Sequence, residues 1–76
     1  MISDRCKIVQ PIAVLSKTRT GWTKELNLIS WDDRPAKYDL RTWGPEHSSM
    51  GKGITLTEEE LRKLPAVIGG LNLEEK

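Results

Sequence analysis

Lys37-Tyr38-Asp39-Leu40-Arg41-Thr42-Trp43, then Gly44 to Ser49, then Met50-Gly51-Lys52-Gly53-Ile54-Thr55-Leu56-Thr57-Glu58-Glu59-Glu60-Leu61, is the stretch that sets the architecture. Tyr38, Leu40 and Thr42 alternate with Lys37, Asp39, Arg41 and Trp43, the period-2 pattern of a strand over 36–43. One of its faces is largely apolar, and the other combines charges with an indole. Gly44-Pro45-Glu46-His47-Ser48-Ser49 is turn chemistry throughout. Residues 50–56 supply a short further strand. Thr57 and Glu60 then form a capping box, and three successive glutamates suit the positive end of a helix dipole. A helix over 58–69 follows, with Leu61, Leu64, Ile68 and Leu71 as its apolar stripe and Gly69-Gly70 as its end. Pro65 is expected to kink this helix or to split it, because its ring clashes with the carbonyl four residues back.

Two more strands precede this stretch. Residues 7–16, Lys-Ile-Val-Gln-Pro-Ile-Ala-Val-Leu-Ser, are β-branched and apolar, with Pro11 placing the strand at an edge or a bulge. Lys17-Thr18-Arg19-Thr20-Gly21 is a turn. Residues 22–31, Trp-Thr-Lys-Glu-Leu-Asn-Leu-Ile-Ser-Trp, form the second strand, and Asp32-Asp33-Arg34-Pro35 breaks it. Short connections between four strands favour an antiparallel meander, so the fold class is α+β with the order ββββα in a single domain over 1–76.

Charge is nearly balanced, with 12 Lys and Arg against 11 Asp and Glu. That sum is the footprint of neither a polybasic tail nor an acidic disordered segment. No apolar run approaches a membrane span, and the start lacks a signal-peptide core, so a cytoplasmic location is expected. At 76 residues the core is thin; a chain of this size buries only about 60% of its unfolded surface. Cys6 is the one cysteine and His47 the one histidine, which excludes an intrachain disulfide and a Cys/His zinc site with four ligands. A homodimer is then the expected source of added stability.

The balanced sum is uneven along the chain. Residues 1–56 carry nine bases against six acids and all of the tryptophans, whereas residues 57–76 carry three bases against five acids. Gly51-Lys52-Gly53 invites comparison with a phosphate loop. The spacing from Gly44 is wrong, Gly53 replaces the magnesium-binding hydroxyl, and a strand follows where a helix is needed. Those glycines shape a tight turn and let another backbone approach. A lone Cys and a distant His do not make a nucleophilic dyad, and Asp32-Asp33 beside a proline read as solvated turn formers. No enzyme and no cofactor is expected.

What remains is aromatic residues interleaved with bases: Trp22 with Lys24, then Lys37, Arg41 and Trp43, then Lys52. Single strands of nucleic acid are bound in this way, with bases stacked on aromatic faces and Lys or Arg along the phosphates. Trp43 shares its face with charges, so exposure is expected. Trp31 lies opposite Leu26 and Leu28 and is also expected to be exposed. Trp22 shares their parity, leaving core packing and exposure equally open.

Taken together, Lys37 to Trp43, the glycine-rich loop and Met50 to Leu61 resemble the positive-cofactor-4-like transcriptional coactivators, which bind single-stranded DNA. With Gly21 to Trp31 added, the chain looks most like the compact bacterial branch called YdbC. The resemblance spans roughly residues 8 to 64. It implies a curved four-stranded antiparallel sheet followed by one helix, dimerised so that the sheets form grooves for DNA. Carried over by position, it implies that Trp43 and Trp31 stack on bases and that Arg41 and Lys52 contact the strand. Lys17, Arg19, Lys24 and Lys37 are backbone-contact candidates from charge and placement. Leu61, Leu64 and Ile68 are expected in the core or the dimer interface. Single-stranded RNA, or proteins of the transcription machinery, are the alternative partners.

Overall fold

The computed structural model describes residues 6–71. Strands β1 (Cys6–Lys17), β2 (Thr23–Trp31), β3 (Lys37–Trp43) and β4 (Met50–Leu56) precede helix α1 (Glu58–Gly69), with a short 3-10 turn at Pro45–His47. The sheet order is β1-β2-β3-β4 and every neighbouring pair is antiparallel, so the expected meander and its closing helix are present. The termini of the single domain expected over 1–76 lie outside the described residues.

Pro11 sits on β1, an edge strand, where its missing donor removes no bond from a second neighbour. The register of β1 against β2 shifts three times, between Ile8 and Gln10, Pro11 and Ala13, and Val14 and Ser16. Such bulges add bend and twist, and they help the sheet to curl. Its curvature is visible in one contact. Arg41 pairs across the sheet with Glu25, six positions from Trp31 on β2, or about 20 Å along a strand. Its guanidinium nevertheless lies 4.9 Å from the Trp31 ring centre. Long side chains span that gap only across a strongly concave face.

At the helix start, the Glu60 backbone N–H donates to Thr57 Oγ1 (3.1 Å) and the Thr57 N–H donates to the Glu60 carboxylate (2.8 Å), completing the capping box. The helix runs unbroken through Pro65 to Gly69, with Gly70 as its C-cap, so the split considered at Pro65 is absent. Pro65 is exposed. Water can serve the carbonyl that loses its N–H partner, which makes the proline tolerable there.

Burial is distributed opposite to the sequence expectation. The core consists of Cys6, Ile29 and Trp43, with Ile8, Trp31 and Met50 packed against it, and all of it lies on the face that carries the charges. Glu25, Asn27 and Asp39 are buried there too. Leu26, Leu28 and Leu40, on the apolar face, are only half-buried, and Ile54 is exposed. Leu64 and Ile68 are exposed and Leu61 is half-buried, so within one chain Leu64 and Ile68 are not core residues. The concave face closes on itself, whereas one short helix is too little to cover the convex apolar face.

Candidate nucleic-acid interface

The concave face is held by two polar clusters. In the first, the Glu25 carboxylate accepts hydrogen bonds from Thr23 Oγ1 (2.7 Å) and Asn27 Nδ2 (3.1 Å), and both its oxygens lie 3.0–3.1 Å from His47 Nε2. The His47 ring in turn lies on Trp43, with ring centres 4.5 Å apart. Glu46 and His47 both have left-handed backbone, at φ 54° and 58°. Such strain persists only where surrounding contacts over-determine it. The carboxylate and the indole supply those contacts.

Burial pushes the Glu25 carboxyl up, but hydrogen bonds from His47, Thr23 and Asn27, with the charge of His47, outweigh it and hold its pKa below the usual value. A depressed folded pKa contributes stability above the unfolded value of about 4.3 and loses it as pH falls through the folded value. Urea unfolding at pH 7 and pH 3 should therefore show the wild type losing its advantage over Glu25→Gln at the lower pH. An equal difference at both values would mean that this carboxylate is not the titrating clamp.

In the second cluster, Arg41 donates from Nε (2.7 Å) and Nη2 (2.8 Å) to the two oxygens of Asp39, which is fully buried. This two-pronged geometry fixes the plane of the guanidinium. Nη1 also donates to the Gly51 carbonyl (3.4 Å), and the guanidinium lies against the Trp31 ring. Gly53 faces Arg41 across the β3–β4 pair, and a Cβ there would collide with the Arg41 Cβ and the Leu40 carbonyl oxygen. Gly51 is likewise pressed against Thr42. The glycines thus admit a close neighbour, as expected, but from within β4 rather than from a turn.

A hollow of about 380 Å³ opens beside this cluster, lined by Trp31, Arg34, Pro35, Lys37, Arg41 and Thr55. It unites three expected contact residues, Trp31, Lys37 and Arg41. Arg34 is a cation that the sequence reading passed over. The cluster 32–35 reads as a strand breaker, and nothing in its pattern places Arg34 beside the concave face.

The remaining sequence candidates are spread more widely. Lys17, Arg19 and Trp22 stand at the opposite end of β2, where the Thr18 N–H bonds the Trp22 carbonyl (2.7 Å) and the Trp22 N–H bonds Thr18 Oγ1 (3.0 Å). Trp22 is half-buried, so neither open reading of it is realised in full. Lys24 pairs with Thr42 and shares the face of Leu26 and Leu40, away from Arg41. Lys52 is exposed at the register shift between the Arg41–Gly53 and Trp43–Met50 pairs.

The tryptophans need correction. Trp43 is 0% exposed and lies under His47, so the exposure expected of it is not found. Trp31 is half-buried, packed against the core on one side and covered by Arg41. Parity assigned both to the correct face; that face buries its residues because the sheet is concave. Cys6 is buried with them, and desolvation, with the Asp39 charge, pushes its thiol pKa up, Arg41 acting in the opposite sense. A thiol kept protonated is a poor nucleophile.

Among the described residues no group of His, Cys, Asp and Glu has a metal-site arrangement, and no helix is long and apolar enough to cross a membrane.

Residues 18–67 match the family described as Transcriptional Coactivator p15 (PC4). The chain belongs to the PC4 family. This is a nucleic-acid-binding, non-enzymatic family, known for coactivators that bind single-stranded DNA. A relative from Treponema pallidum (strain Nichols), described only as an uncharacterized protein, is 47% identical over 60 residues, which cover 79% of this chain and 71% of that protein. The PC4 match runs from the turn after β1 through most of α1, so it takes in both polar clusters and the hollow.

Proposed function

We propose that the protein is a homodimeric single-stranded DNA-binding protein with little sequence preference, serving transcription, replication or repair as an accessory factor. The observation that carries this reading is the grouping of Trp31, Arg34, Lys37 and Arg41 around one hollow of a PC4-family sheet. Cations along the hollow would follow phosphates, and the half-buried Trp31 with the flat Arg41 guanidinium over it would offer stacking surface to bases. Lys17, Arg19 and Lys52 would extend the phosphate track, with Trp22 a second stacking surface, whereas Lys24 lies on the other face and would contact the strand only outside this track. Trp43 would act from beneath by holding the His47 loop.

The dimer rests on apolar exposure. Val14, Ile54, Val67, Ile68 and Leu71 are each about half or more exposed, beyond what a lone small domain usually presents to water. Leu61, Leu64 and Ile68 would meet the second copy. Sedimentation should give twice the chain mass, and Ile68→Asp should halve it.

Titration with labelled oligo-dT at several salt concentrations tests the binding itself. Affinity should fall steeply with salt, and Lys52→Ala should reduce the slope of log affinity against log salt by about 0.7. Binding that ignores salt, or that is equal for duplex, would overturn the proposal. Competition with a matched RNA oligomer separates DNA from RNA. Absence of binding to either polymer would favour a protein-interaction module of the transcription machinery.

A further inference from the structure

The hollow at the β2–β3 turn has a charge and a location that distinguish it from a plain phosphate track. Its lining contains the cations Arg34, Lys37 and Arg41 and no acid. Buried Asp39 offsets one of them from behind, which leaves the lining itself with a surplus of about two positive charges, Asp32 and Asp33 of the same turn not being among the residues that line it. An internal phosphodiester carries a single negative charge, whereas a phosphate monoester at a strand end carries about −1.5 to −2 at pH 7. The monoester is the better match.

The lining is also held in place. Asp39 and Trp31 fix the Arg41 guanidinium on two sides, and its fork of five N–H groups retains donors beyond those that Asp39 takes. Arg34 is carried by a tight turn in which Asp32 and Asp33 are both left-handed, at φ 53° and 59°. Two successive left-handed residues are the mark of a type I′ turn, usually supplied by Asn or Gly, here set within the longer connection 32–36. The turn is tied by the Arg34 N–H to the Trp31 carbonyl (2.9 Å) and by Ser30 Oγ to the Arg34 carbonyl (2.7 Å). Thr55 adds a hydroxyl from β4. Arg34, Pro35 and Lys37 also border a hollow on the opposite face, with Leu28, Tyr38 and Thr57. They therefore stand at the rim of the sheet, where a strand crossing the concave face would end.

We propose that this hollow binds the terminal phosphate monoester of a single-stranded nucleic acid, with Arg34 as the residue that distinguishes a phosphorylated end from a hydroxyl end. The inference rests on the single-strand binding proposed above and adds to it a preference for one kind of strand end. It predicts that the protein settles at phosphorylated termini in preference to internal positions.

The test uses the full chain and one dT sequence in three forms: hydroxyl at both ends, phosphate at the 5′ end, and phosphate at the 3′ end. A hydroxyl-ended oligomer one nucleotide longer controls for added charge. One of the two phosphorylated forms should bind about tenfold tighter than the hydroxyl-ended and longer oligomers, the scale of one added charge-assisted contact set. In Arg34→Ala that ratio should fall to about one. Arg34 is exposed, and a thermal midpoint close to wild type would confirm that the variant folds. Equal binding of all four oligomers would overturn the end preference while leaving single-strand binding intact. A gain that survives in Arg34→Ala would overturn the role given to Arg34. Failure of every oligomer to bind would remove the underlying reading itself.

Discussion

Trp43→Ala is expected to destabilise the fold by about 3–5 kcal/mol, the range for emptying a large aromatic site in a core. Trp43 is 0% exposed and is the largest side chain in the cluster with Cys6 and Ile29. A domain of this size commonly has only about 5–15 kcal/mol in total, so the variant should be largely or partly unfolded near body temperature. The ring also supports His47, and with it the loop that leads into β4. Loss of oligonucleotide binding should therefore track loss of folded protein. Urea denaturation and binding measured on one sample would show this, and Trp43→Phe should recover much of both. An unchanged unfolding midpoint with weakened binding would instead place the ring against bases.

Asp39→Ala is the second large effect. It should cost about 3 kcal/mol, the lower end for breaking a buried pair, because the Arg41 side chain keeps 15% exposure and regains some hydration. Asp39 takes the Nε and Nη2 donors of Arg41. Without it the guanidinium loses its fixed plane over Trp31, and affinity for oligo-dT should fall even after correction for stability. A double-mutant cycle with Arg41→Ala should give strong coupling, since each residue's loss already removes the shared contact. Additive losses would mean that the pair does not act as a unit.

These two residues also mark the boundary of what the chain reveals before it folds. Alternation over Lys37 to Trp43 correctly placed Asp39, Arg41 and Trp43 on one face. The burial of that face did not follow. Apolar Tyr38, Leu40 and Leu26 looked like the inward side because alternation alone puts them on the face free of the charges of β3. A concave sheet with three bulges in β1 instead closes over Asp39, Asn27 and Glu25. It tolerates their burial because each carboxylate has several donors.

The candidate site was partly legible for the same reason. Lys37, Arg41 and Trp31 could be named from charge and parity, since those depend on the local strand alone. Arg34 could not, because its position over the hollow depends on a left-handed Asp32-Asp33 turn. Lys24 was grouped with the others by charge, but its even parity sends it to the other face.

Local chemistry in the sequence by itself determined the element order, the confinement of Pro11 to an edge or a bulge, the Thr57–Glu60 cap and the unevenness of charge. Each of these depends on neighbours within a few positions or on one strand's alternation. The tertiary structure alone decided which face is buried, that Trp43 supports rather than meets solvent, and that Arg34 joins Lys37 and Arg41. Those outcomes depend on how far the sheet bends. Curvature is summed over all four strands, and no single segment encodes it.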